Sequence, residues 1–144
     1  MNGGHEEISK TDYQSLAEFR YQIRRFIHYS EQVARSSGLE PQQHQVLLAI
    51  KGLPDGKQSS IGELAERLQL QHHSTVELVN RLSEHGFVER RRDEEDQRRV
   101  LVFLTRQGEE ILQQLSAFNL AELRSTAPRL VETLERLITK AQIR

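Results

Sequence analysis

The sequence predicts a mainly α-helical fold with a small β-wing, an α+β class in which a winged helix-turn-helix is flanked by further helices. Three observations predict it. Apolar residues recur at helical spacing through most of the chain. Residues that start or stop helices punctuate this pattern at Gly38, Pro41, Ser60 and Gly86. Between Phe87 and Thr105 the period changes to that of strands around a charged turn.

The elements follow in order. Residues 1–10 are polar, include Gly3 and Gly4, and read as a disordered N-terminus. Thr11 and Gln14 have capping-box spacing. They open a long helix ending near Gly38, apolar at Leu16, Phe19, Ile23, Phe26, Ile27 and Val33. Pro41 suits the first turn of a second helix, with Val46, Leu47 and Ile50 on its core face. Gly52, Pro54, Asp55 and Gly56 form a turn-rich connection. Ser60 and Glu63 make a second capping box before Ile61, Leu64, Ala65 and Leu68. After a break at Gln69 to Gln71, a helix carries Val76, Val79 and Leu82 on one face and stops at Gly86. Phe87–Val88 opens a strand, RRRDEEDQRR is the turn with Arg90, Arg91 and Arg92 on its incoming strand, and VLVFLT is the return strand. Thr105 can cap a helix running to about Leu123, and Pro128 opens a last one with Leu130, Leu134, Leu137, Ile138 and Ala141 inward.

A chain of 144 residues is one domain, or one domain with an appended helical part. Twenty basic residues against 21 acidic ones give no global attraction to nucleic acid, so DNA binding would depend on charge placement. Without cysteine there is no disulfide and no thiolate site. No apolar run reaches membrane length and no signal peptide is visible, so the expectation is a cytoplasmic chain without a membrane partner.

Helix, short turn, helix and hairpin together are a helix-turn-helix with a wing, whose second helix enters the major groove of DNA by its N-terminal end. Here that end reads Gln71, His72, His73, Ser74 and Thr75, short or flat polar side chains suited to bases and phosphates. Ser74 and Thr75 could instead cap the helix, and Thr75 is expected to point outward. The remaining candidate DNA contacts are Ser60 at the preceding helix start, Arg81 two turns on from Ser74, and Arg91, Asp96, Arg98 and Arg99 in the hairpin. An arginine-tipped wing can reach a narrow minor groove. The acidic run 93–96 reads as a solvated turn, not a metal site, since a hairpin tip lacks supporting groups and its arginines compete.

At these residues the sequence resembles the MarR family of winged-helix regulators. The matching pieces are GELAERL, then VNRLSEHGFVERR, then Asp93, Asp96 and Arg98 in a D-x-x-D-x-R wing, then V-x-L-T-x-x-G from Val102 to Gly108. The resemblance implies that Arg98 enters the minor groove and that Asp96 orients the wing. It also implies a homodimer held by the terminal helices, 11–38 and 106–144, around a DNA-binding domain at 39–105. Amphipathic terminal helices with little core of their own point the same way, and two-fold symmetry suits palindromic DNA. Two departures stand out: Glu94 where the family often has proline, and Glu77 where many members have arginine.

In the family, small aromatic anions often bind between the dimerisation helices and the winged helix. Arg24, His28 and His44 are the matching candidates for a ligand pocket, with surface or interface residues as the alternative. Zinc sensing by histidines after the wing is not expected, because Arg106 to Leu123 contains none. No glycine-rich phosphate loop, H-E-x-x-H or nucleophile motif points to an enzyme or a cofactor. The expected function is a transcriptional regulator, a repressor by family habit, that binds double-stranded DNA as a homodimer, with a small-molecule effector as a further partner. The rival reading is a winged helix used for protein–protein interaction.

Overall fold

The computed structural model describes residues 7–143, with side chains as far as Thr139. Its elements are α1 (Lys10–Ser36), α2 (Pro41–Lys51), α3 (Ile61–Leu68), α4 (His72–Glu84), β1 (Val88–Arg92), β2 (Val100–Leu104) and α5 (Arg106–Ile143). Of the N-terminal run expected to be disordered, positions 1–6 lie outside the described residues.

The capping box of α1 sits two residues earlier than Thr11 and Gln14. The Ser9 N–H donates to the Asp12 carboxylate at 2.9 Å, and the Asp12 N–H donates to Ser9 Oγ at 3.1 Å. A carboxylate beside a helix N-terminus is a stronger acceptor than an amide and favours the helix dipole. At α3, Ser60 Oγ accepts the Glu63 N–H at 3.2 Å, but the Glu63 carboxylate accepts from Arg67 instead of returning to Ser60.

Three helices end in the same way. After α1, Gly38 takes φ +85°, the Gly38 N–H donates to Arg35 O and the Leu39 N–H donates to Ala34 O. After α4, Gly86 takes φ +80° with the corresponding bonds to Ser83 O and Leu82 O. Both are Schellman motifs, and each places an apolar residue, Leu39 or Phe87, back against the helix it leaves. After α3 the left-handed position is held by Gln69, a non-glycine residue at φ 54°.

The C-terminal region is one helix of 38 residues, not two. Pro128 lies inside α5 and does not open a new helix. It lacks an N–H, so the Arg124 carbonyl goes without its usual donor, while the surrounding turns remain helical. Ala141 lies beyond the described side chains.

β1 and β2 pair antiparallel, with Val88 opposite Leu104, Arg90 opposite Val102 and Arg92 opposite Val100. Arg90, Arg91 and Arg92 lie on the incoming strand, as the sequence reading also placed them, and the turn between the strands spans 93–99. The start of α3 is stitched to β2: the Val102 N–H donates to Ser59 O at 2.9 Å, and Ser59 Oγ donates to Val102 O at 2.5 Å.

The V-x-L-T-x-x-G stretch has a structural explanation. Val102 is fully buried and Leu104 packs against the core. Thr105 Oγ1 accepts the Gly108 N–H at 3.1 Å as the cap of α5 and donates to Gly86 O at 2.6 Å. Gly108 lies so close to the Phe87 carbonyl that a Cβ would fall 2.1 Å from that oxygen.

The fold divides into two compact units. Glu31–Phe118 holds the hydrophobic core, built on Leu47, Leu64, Val79, Leu82, Val102 and Leu115. The other unit joins the first part of α1 to the part of α5 after Phe118. Its buried side chains include polar ones: Ser15, and Thr133, whose Oγ1 accepts from Gln22 Nε2 at 3.2 Å. Leu16 and Ile27, expected on the inward stripe of α1, are each 48% exposed, and Tyr13, Tyr21, Leu120, Val131 and Ile138 are exposed with them. Among the described residues no helix is long and apolar enough to cross a membrane.

Candidate nucleic-acid interface

α4 begins at His72, with Gln71 as an extended N-cap that makes no side-chain cap bond. Ser74 is thus the third helical residue and not a cap. Gln71, His72 and His73 are exposed and Ser74 is half-buried. Thr75 corrects the expectation of an outward side chain: it is fully buried, and its hydroxyl donates to Gln71 O at 3.0 Å. The reason is helical period. Thr75, Val79 and Leu82 share the inner face of α4, so Thr75 is a core residue that cannot meet a base. The outward stripe is His73, Glu77 and Arg81, one turn apart, and all three are exposed. Arg81 has no ion-pair partner among the described residues; it does not pair with Glu77 or Glu84.

The wing turn is organised by two of its four acidic residues. Asp93 is buried, not solvated as expected. Its carboxylate accepts the Glu95 N–H at 3.0 Å and lies 4.0 Å from Arg99 Nη1, while its own N–H donates to Arg99 O. The Asp96 carboxylate accepts both the backbone N–H of Arg98 at 3.1 Å and its Nε at 3.2 Å, leaving the Arg98 side chain 92% exposed. Asp96 thereby holds Arg98 outward from the tip.

Strand alternation separates the remaining wing arginines. Arg91 pairs with Glu89 and stacks over the Phe103 ring, its guanidinium carbon 4.8 Å from the centroid. Arg90 points to the opposite face, where its Nη1 donates to Asn80 Oδ1 on α4. The sequence reading placed Arg90, Arg91 and Arg92 together on the incoming strand, took Arg91 as the candidate contact and did not single out Asn80. Strand alternation could have separated Arg90 from Arg91 once β1 was seen to extend to Arg92.

A cleft of about 470 Å³ runs between the start of α3, α4 and the wing. It brings together Ser60, His72, Arg98 and Arg99 from the candidate set and adds Asn80 and Arg90.

The candidate ligand residues divide between the two units. Arg24 and His28 are exposed on α1 in one; His44 is 2% exposed in the other. His44 Nδ1 is buried without a hydrogen-bond partner, and desolvation lowers its pKa below 6.5. Burial thus works against a charged His44, and the three candidates do not share one unit. Among the described residues no group of three His, Asp or Glu side chains could hold a metal ion.

The chain's winged part, residues 37–99, matches the family model described as the MarR family. That stretch is similar to MarR-family sequence. The whole chain also has the fold of MarR regulators. The regulator AbsC of Streptomyces coelicolor superposes with a TM-score of 0.73 at 18% identity, over 95% of each chain. Apo MarR from E. coli gives 0.67 at 22% identity, over 95% of this chain and 98% of that one. A MepR variant of S. aureus bound to an oligodeoxyribonucleotide gives 0.62 at 20% identity, over 94% of this chain and 97% of that one. No curated protein sequence matches the chain. In the fold shared with these structures, α4 is the second helix of the helix-turn-helix and β1–β2 the wing.

Proposed function

We propose that this MarR-like chain is a transcriptional regulator that binds a palindromic operator as a homodimer and acts as a repressor. The observation that carries the reading is the pairing of an exposed, polar α4 start with an arginine wing whose tip, Arg98, is held outward by Asp96. In this mechanism the exposed His73 and Arg81 meet the major groove and its phosphates, and Arg98 enters the flanking minor groove. The exposed apolar residues of α1 and α5 support dimerisation, since packing them against a second copy would remove apolar surface from water. The dimerisation helices are proposed at 11–38 and 106–144. A small aromatic or anionic effector would act by binding one spacing of the paired α4 helices more tightly than another.

The test is selection of the purified protein against random duplex DNA. Enrichment of an inverted repeat, bound by a species of twice the monomer mass, is the expected result. Binding without enrichment, or a monomer on DNA, would refute the proposal. The near-neutral charge and the exposed Glu77 favour a second reading, a protein-docking wing, which no detectable duplex binding would support.

A further inference from the structure

The wing arginines differ in what neutralises them. Arg91 is paired with Glu89, Arg98 with Asp96 and Arg99 with Asp93. Arg90 and Arg92 are instead held by neutral oxygens, Asn80 Oδ1 and the Gln97 carbonyl. A neutral acceptor fixes a guanidinium without cancelling its charge, so Arg90 keeps a full positive charge on the α4 side of the wing. The cleft beside it is lined by Arg90, Arg98, Arg99 and His72, and none of its lining residues is acidic. In a chain of net charge −1, three arginines meet at this cleft, and Arg90 is the one of them that no carboxylate pairs with among the described residues.

We infer that this cleft seats a backbone phosphodiester of the DNA strand that passes between α4 and the wing, with Arg90 supplying the charge and Asn80 positioning it. The inference rests on the DNA-binding reading and deepens it. Arg90 bonds from the strand to the helix, so it stands where a strand leaving the major groove for the wing must cross. Asn80 acts through Arg90. By occupying one nitrogen of the guanidinium fork, it leaves the others directed at the cleft and limits the rotamers that would otherwise be lost on binding.

The test is affinity of the full chain for a random-sequence duplex, by fluorescence anisotropy across a salt series, for wild type, Arg90→Gln, Asn80→Ala, the double variant and Arg91→Gln. Arg90→Gln should weaken binding on the order of tenfold and reduce the slope of log affinity against log salt by about one per bound protomer. Arg91→Gln removes a charge that Glu89 already pairs with, on the other face of the strand, and should lower the slope less than Arg90→Gln does. Asn80→Ala keeps the charge, so it should lower affinity several-fold with the slope retained, and add nothing in the Arg90→Gln background. Equal slopes for wild type and Arg90→Gln, or equal losses from Arg90 and Arg91, would overturn the seat. Additive losses from Asn80 and Arg90 would overturn the positioning role. No duplex binding by wild type would overturn the DNA reading itself, and the seat with it.

Discussion

Gly108→Ala tests how tightly α5 is tied to the chain leaving the end of α4. A Cβ at position 108 would sit 2.1 Å from Phe87 O and 3.1 Å from Phe87 C, both backbone atoms that cannot swing aside. Restoring ordinary contact needs about 1 Å of movement, because van der Waals contact begins near 3.4 Å. The movement must come from the first turn of α5 or the entry to β1. Both carry buried residues, Leu112 at 4% and Val88 at 2% exposure. It would also strain the Thr105 N–H bond to Phe87 O at 3.1 Å and the Thr105 hydroxyl bond to Gly86 O at 2.6 Å. Overpacking a core costs about 1–3 kcal/mol, and each weakened hydrogen bond up to about 1 kcal/mol. Alanine's better helix propensity offsets about 1 kcal/mol. The expected net loss is about 2–3 kcal/mol, read as a lower urea midpoint with an unchanged slope at fixed protein concentration. Gly62→Ala is the control, since nothing lies within 4 Å of its added Cβ and it should be neutral or slightly stabilising. A Gly108→Ala midpoint within about 0.5 kcal/mol of wild type would refute the close-approach argument.

Three further outcomes are expected. Thr75→Val keeps the shape of a buried side chain and removes one hydroxyl bond, so it should cost about 1 kcal/mol or less of stability and leave DNA sequence preference unchanged; an altered preference in a random-DNA selection would show that Thr75 does reach the groove. Arg98→Ala should weaken binding on every duplex and lower the salt slope by about one per bound protomer; full affinity at physiological salt would count against the wing contact. Burial lowers the pKa of His44 in the fold, so protonation favours the unfolded chain. Its contribution is complete above the unfolded value of 6.5 and declines as pH falls through it. Urea midpoints at about pH 7.5 and about pH 5.5 should therefore differ more for wild type than for His44→Gln, and an equal pH dependence would remove His44 as the cause.

Most of the fold could be read from residues whose backbone chemistry is local. Gly38 and Gly86 end helices because each takes a left-handed conformation, and Thr105 with Gly108 marks the start of α5. The misreadings came where tertiary context chose between local options. Ser9 and Asp12 outcompeted Thr11 and Gln14 as the box of α1, a choice between two adequate caps. Pro128 is a helix-start residue by local rules, yet the turns around it stay helical and α5 continues. At the interface, composition alone pointed to the α4 start and the wing. It could not show that Thr75 lies in phase with Val79 and Leu82, because threonine is small enough for either face. Nor could it tell Arg90 from Arg91, because their separation depends on which residue begins β1. The burial of His44 was equally hidden, because it is a property of the packed core and not of a polar side chain.

Asp96 does more than aim Arg98. It engages Nε and the backbone N–H, so both terminal nitrogens of the guanidinium remain unspent at a tip that is 92% exposed. A free arginine surrenders about 2 kcal/mol of rotational freedom when a ligand immobilises it. Here part of that loss is already incurred in the unbound protein. In the proposed mechanism the carboxylate also dampens the charge that would draw the tip toward DNA from a distance. The wing tip therefore gives up some long-range attraction in exchange for a side chain that arrives already shaped, a balance that favours slow departure over fast arrival.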